Sequence, residues 1–410
     1  MSHRAFRMVW SGTMASNIGT WMQNVALGAL AYKLGGTSFV ALIGFVQLGP
    51  ILFLANIGGS LADRFDRKKI VMAMNAEQLL FSVALAWIAS PSHQGRDAII
   101  ACVLAIGIGN AIQGPSYASY MPSLVPKADL PGAISLFSVQ LNLSRVVGPA
   151  IGGLLLPFVG FRGLFLINAA TYLFAIAAVA YGPAALKAVG TPERGILAGF
   201  RIVRDRPELR TPLLAITAMS FFCLPFVGLM PPIAKEHLGI DPKSTAYGFL
   251  YGSFGLGAAV GAMAVGTVLV GRDRGRIVRF SFLLFAVFLA AWGTVRSAPL
   301  AFPVAFCLGA TYFVVPTSLS TSLQEHLADI YRGRVMALYM MGFGGTVPLG
   351  ILFFGRLAAI HSVGLAPVLI VGSIAAVAMA FLVRLGGPPE PPTAEHHVLF
   401  DPDSDVALTD

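Results

Sequence analysis

Apolar runs of about 20 residues recur along this chain from end to end, and each is long enough to cross roughly 30 Å of hydrocarbon as a helix. Such a chain has little with which to cover a water-facing surface. Of its 410 residues 56% are hydrophobic and 11% charged, against about 25% charged in an ordinary soluble domain. Glycine supplies 45 positions, which suits helices that meet through small-residue faces and argues against a barrel. The expected fold class is therefore an all-α membrane protein.

The breakers between the runs place helices near 6–32, 38–62, 70–90, 97–120, 131–157 and 161–182, then near 211–235, 245–270, 277–296, 299–322, 333–360 and 363–384. That is twelve transmembrane helices in two sixes. The expected domains are an N-terminal half (1–182), a linker (183–210), a C-terminal half (211–385) and a tail (386–410). The linker mixes apolar residues at helical spacing with a basic face, so it reads as an amphipathic helix on the inner membrane surface. The tail is Pro-rich, with Glu390, Glu395, Asp401, Asp403, Asp405 and Asp410 and neither Lys nor Arg, and reads as disordered.

The net charge of +9 comes from positive residues in short connections between apolar runs, so it reports topology rather than nucleic-acid binding. Most Lys and Arg fall on one side when both termini are cytoplasmic. The first apolar run follows His3, Arg4 and Arg7 and exceeds a signal peptide's core, so it is expected to remain as a spanning helix. Cys102, Cys223 and Cys307 lie within apolar runs without metal-ligand spacing and read as small core residues.

The two sixes also repeat. Pro115 and Gly132 stand at the same offset from Pro316 and Gly333, and Pro149 and Pro348 fall near equivalent places. A charged turn at residues 59–69 returns at residues 271–276. Duplicated halves imply a pseudo-two-fold axis along the membrane normal and a substrate site between the halves near the midplane.

Gly59, Leu61, Asp63, Arg64, Arg67 and Lys68 in that first turn resemble the loop signature of the major facilitator superfamily, Gly-x-Leu-x-Asp-Arg-x-Gly-Arg-Lys, with Asp66 where the family has glycine. The runs at 21–23, 122–126, 144–153, 200–207 and 332–336 resemble the bacterial group of enterobactin and macrolide exporters. The resemblance implies a multi-pass protein of the bacterial inner membrane working by alternating access. It likens Arg145, Gly148, Pro149, Gly152 and Gly153 to an exporter signature of the fifth helix, and it brings Asp63 against the start of the eleventh helix at Gly333 and Arg334. Gly59, Asp63, Arg64, Arg67, Gly333 and Arg334 are accordingly the expected cytoplasmic gate. The family's usual fourth-helix arginine has no counterpart in residues 107–114, so a proton relay built on it is not expected.

The other Lys and Arg fall in connections or near the ends of expected helices, which leaves Arg145 as the one assigned to a helix interior; a charge there is costly enough to mark function by default, with a brace between helices as the bland alternative. Gln140 and Asn142 precede it by little more than one turn. Glu77 lies seven residues into its helix; it reads first as the partner of a basic loop residue and second as a proton-coupling group. The cavity candidates are Asn17, Trp21, Asn24, Gln113, Tyr117, Gln140, Asn142, Phe221, Phe222, Tyr312, Tyr339, Met340 and Met341. Together they describe a broad, soft, weakly charged pocket that suits amphipathic organic molecules.

No histidine–carboxylate cluster, nucleophile elbow or phosphate loop occurs, so neither an enzyme nor a cofactor or metal site is expected. The expectation is a monomeric, proton-driven exporter of a drug, macrolide or siderophore, whose partners are the small-molecule substrate, protons and the lipid bilayer. Uptake of a small metabolite and a non-transporting receptor or assembly protein are the alternatives.

Overall fold

The computed structural model describes residues 3–90, 95–183, 196–204, 206–269, 271–327 and 329–383, without the side chains of 55, 56, 127, 196–199 and 329–334. The expected tail and residues 184–195 of the linker lie outside these. Hydrocarbon offers no partner for a free peptide group, so a spanning chain must satisfy its backbone internally. Among the described residues the regular structure is all helical: α1 (Arg4–Arg64), α2 (Arg67–Ile88), α3 (Arg96–Tyr120), α4 (Leu130–Tyr181), α5 (Ile196–Arg204), α6 (Pro207–Phe222), the short α7 (Pro225–Gly228) and α8 (Met230–Pro232), then α9 (Thr245–Gly266), α10 (Arg274–Thr294), α11 (Ala298–Glu325), α12 (Asp329–Met340), α13 (Thr346–Ala358) and α14 (Leu365–Leu382).

Among the described residues ten helical stretches are long and apolar enough to cross a membrane. Two of them are double length: α1 has 61 residues and breaks at Gly35 and Gly36, and α4 has 52 and breaks at Gly160. Gly36 and Gly160 adopt φ of 61° and 66°, as Gly239 and Gly364 do in the matching later turns, at 66° and 71°. A left-handed backbone costs other residues about 1–2 kcal/mol, so glycine sets where the chain reverses.

The charged turn between α1 and α2 is built from helix-end contacts. Asp66, the departure from the resembled signature, caps α2: its Oδ1 accepts from the Lys68 backbone N–H at 2.9 Å. Asp273 does the same for α10, accepting from the Arg276 N–H at 2.8 Å. Such caps contribute about 1 kcal/mol each. Lys68 Nζ reaches back to the end of α4 and donates to the carbonyls of Ala180 and Gly182 at 2.8 and 2.6 Å, which no intrahelical N–H can satisfy.

Buried apolar side chains from residues 203–383 form the largest core, joined from earlier in the chain by Val25 and Ala41. Those from residues 6–179 form two others. Between these N- and C-terminal portions α4 lies on α9, where Gly153 and Gly248 touch backbone to backbone and Gly252 meets Ala150. In parallel α13 lies on α1, through Gly355 on Ala41 and Gly44 on Ile351. On the face opposite the charged turn, Glu236 Oε1 accepts from Tyr32 and Thr37 at 3.2 and 2.9 Å, and Lys243 sits over the Phe161 ring at 4.9 Å. The Lys243 backbone N–H, and then the Lys235 ammonium, hold Asp241 on that face below its ordinary value.

A Cβ at Gly153 has no space, whereas one at Gly59 meets nothing within 4 Å. Gly153→Val should destabilise the protein by about 1–3 kcal/mol through overpacking, and Gly59→Ala should leave the thermal midpoint in detergent unchanged or slightly raised.

Candidate functional site

Arg145 lies about two helical turns before the Gly153 contact, where α4 runs between α1 and the C-terminal portion. Its guanidinium stands 5.7 Å from the centre of the Trp21 ring on α1 and 5.1 Å from that of Phe313 on α11. The glycines of α4 make this arrangement possible. Gly148 and Gly152 let α4 press on Trp21 and Met22, and Gly255 lets α9 approach the Arg145 backbone from the other side.

An aromatic row continues from the arginine into the C-terminal portion. Phe313 packs on Tyr312 at 4.9 Å, Tyr312 on Phe254 at 5.4 Å, and Phe254 on Phe226 and Tyr251 at 5.5 and 6.4 Å. Tyr251 and Tyr312 are within electrostatic range of the guanidinium. Among the described residues no carboxylate pairs with Arg145. The site is thus one cation, only partly buried, held between π faces from both portions.

Of the expected cavity residues, Trp21 and Tyr312 stand at this site. Others are committed elsewhere. The Tyr117 hydroxyl bridges Thr13 and Gln140 at 2.6 and 2.8 Å, and Gln140 Nε2 donates to Thr13 Oγ1 and the Trp10 carbonyl, so both side chains lock α3 and α4 to α1. Asn142 Nδ2 donates to Ser138 O of its own helix at 2.9 Å. Gln140 therefore does not share a face with Asn142 and Arg145: at about 100° per residue a step of two residues turns the helix to its far side, whereas the step of three from Asn142 to Arg145 keeps those two adjacent. Gln113 accepts from Gln78 at 2.5 Å and Asn24 from Gln47 at 2.7 Å, while Asn17 Nδ2 is buried with no partner.

Phe221 and Phe222 pack with tilted rings against Phe353 and Phe354 and tie α6 to α13. The Tyr339 hydroxyl donates to Pro316 O at 2.6 Å and joins α12 to α11; Met341 packs on the large core and Met340 is 57% exposed. Phe313, Tyr251 and Phe254 are the site residues that sequence reading missed. The adjacency of Phe313 to Tyr312 and the three-residue spacing of Tyr251 and Phe254 were the available signals. A buried network in which Gln23 Oε1 accepts from Ser82 and Asn168 at 2.9 and 2.8 Å was missed too.

Glu77 occupies the space left by Gly109 of α3. Its Oε2 is buried without a hydrogen-bond partner, and among the described residues no basic side chain forms the ion pair expected with the adjacent loop. At the charged turn Arg64 is exposed and Asp63 half-buried, while Arg67 Nε donates to Ala62 O at 3.2 Å and so closes the end of α1. Gly333 and Arg334 belong to α12, and their side chains lie outside the described residues. No group of three metal-ligating side chains occurs among the described residues.

The fold matches that of solved membrane transporters. A bacterial homologue of the human lysosomal transporter Spinster, in an inward-facing and occupied conformation, superposes with a TM-score of 0.75 at 14% identity, covering 96% of this chain and 100% of that one. The nucleoside transporter NupG gives 0.73 at 12% identity over 93% and 98%. The chain belongs to the transmembrane secretion effector family of the major facilitator superfamily, whose model matches residues 1–395. It is a membrane transporter and not an enzyme.

The chain is 28% identical to the multidrug efflux pump Tap of Mycobacterium tuberculosis, over 90% of this chain and 92% of that protein. It is 23% identical to the staphyloferrin A transporter of Staphylococcus aureus over 84% and 87%. Identity to the enterobactin exporter EntS of Shigella boydii is 24%, over 82% and 81%.

Proposed function

We propose that this protein is a proton-driven exporter of amphipathic organic anions, and that Arg145 receives the anionic group of the substrate between Trp21 and Phe313. The observation that carries this reading is the guanidinium set between two rings with no carboxylate partner among the described residues. A cation in such surroundings repels a cationic drug and gains from a carboxylate or catecholate, and the aromatic row accepts the apolar part of the same molecule. Relatives named for siderophore transport and multidrug efflux support export of such molecules.

In this reading the breaks in α1 and α4 divide the chain into twelve spans, six in each of two pseudo-symmetric halves that rock about Arg145. The charged turn faces the cytoplasm of a bacterium, with both termini, and the protein works as a monomer in the inner membrane. The Glu236 and Lys243 contacts then close the outer face, while Asp63 meets the start of α12 when the inner face closes. Arg67, engaged with Ala62, supports the end of α1 and leaves the latch to Asp63. Glu77, a carboxylate with an unpaired oxygen inside the N-terminal half, is the group that exchanges the coupling proton.

Arg145→Gln should weaken binding of a catecholate or carboxylate siderophore by about ten- to a hundred-fold, as loss of a charged hydrogen bond does, while binding of a neutral drug changes little. Equal loss for both ligands in proteoliposomes would sink the anion reading. Glu77→Gln should bind substrate normally yet lose export driven by a pH gradient; coupling retained in that variant would exclude it as the proton carrier. Asp63→Asn should raise thiol labelling of a cysteine placed on the first turn of α12 by several-fold, and unchanged labelling would remove the latch.

A further inference from the structure

On the membrane-facing side of the C-terminal portion, away from Arg145, α9 and α10 each pack on α11 and leave a groove between them. Its volume is about 750 Å³, many times the roughly 30 Å³ of a water molecule. The floor is α11 at Ala310 and Val314, and the walls include Val260 of α9 and Ile277 and Phe280 of α10. Val260 is 39% and Phe280 63% exposed, so the groove is open where a membrane-spanning helix meets lipid.

Arg272, Asp273 and Arg276 stand at the groove's end in the second charged turn, so two cations and one carboxylate line it there. Of the acidic groups beside the two arginines, Glu325 is paired and Asp273 is held mainly as a helix cap. Asp273 accepts from the Arg276 backbone N–H at 2.8 Å and keeps its other oxygen 3.9 Å from the Arg276 Nε, and Glu325 pairs with Arg274 at 2.9 Å. Two guanidiniums with one loosely held counter-charge thus cap an apolar trough that opens sideways into the bilayer.

We propose that this groove holds an anionic phospholipid, with its phosphate on Arg272 and Arg276 and its acyl chains along α10 and α11. A soluble phosphate ester would gain nothing from the trough, and a zwitterionic lipid would gain less from the two arginines.

Native mass spectrometry of the purified protein, titrated with phosphatidylglycerol and with phosphatidylcholine of identical acyl chains, tests this. Phosphatidylglycerol should be retained preferentially. The Arg272→Gln/Arg276→Gln double variant should lose about thirtyfold in its affinity, roughly fivefold per charge, and Trp in place of Ala264, which lines the trough on α9 (Ala264→Trp), should reduce binding of both lipids. Both variants should keep the wild-type thermal midpoint in lipid-free detergent, which separates lost binding from lost folding. The proposal is overturned if the double variant keeps the preference, or if glycerol 3-phosphate competes as well as the lipid. It is equally overturned if Ala264→Trp abolishes a dimer of this chain instead of a lipid adduct, or if a transported drug displaces the lipid from wild-type protein.

Discussion

The packing of α4 is the constraint on which the rest of the structure depends. In a bilayer the lipid tails are as apolar as the helices, so association rests on close van der Waals contact rather than on the hydrophobic effect. Gly148 and Gly152 remove the side chains that would hold α4 away from α1, and Gly153 removes the one that would hold it from Gly248 on α9. One helix thereby joins the two portions of the chain. The exporter-like run of the fifth segment is, in physical terms, a two-sided contact surface.

That contact surface also determines what Arg145 can be. A guanidinium two turns away is carried to the junction of the portions, where Trp21 and Phe313 supply π faces and, among the described residues, no acid pairs with it. Charges elsewhere in the molecule do ordinary work at helix ends. Asp66 and Asp273 cap α2 and α10, Lys68 and Arg67 close the ends of α4 and α1, and Arg274 pairs with Glu325. Isolated exposed pairs of this kind contribute little to stability, but a cap fixes where a helix begins. The charged turn is therefore a helix terminator first, whatever gating it performs.

The helices and their order were legible in the sequence because the bilayer imposes a long apolar run for each crossing, and because glycine and proline mark the reversals. The break at Gly35 and Gly36 falls between the segments expected at 6–32 and 38–62, and that at Gly160 between 131–157 and 161–182. The pairing of Gly36 with Gly239 and of Gly160 with Gly364 repeats the same punctuation. Asp66 looked like a departure from a pattern; its role as a cap emerges only from the position of the Lys68 N–H.

The site was legible in part. Arg145 stood out because a charge inside an apolar run is expensive and therefore rare, and of the cavity candidates Trp21 packs on its guanidinium while Tyr312 lies next to Phe313 beside it. Gln140, Tyr117 and Tyr339 were polar or aromatic residues of the same kind, yet their hydrogen bonds turn them into struts between neighbouring helices. Residue type and spacing along the chain by themselves determined that this is a helical membrane protein and which charge lies deep in an apolar run, and the resemblance of its charged turn pointed to a transporter. Only the tertiary structure decided which face of each helix meets which neighbour. That rotation is set by contacts between segments a hundred or more residues apart, such as Gly148 on Trp21 and Phe313 on Arg145, and no local pattern encodes them.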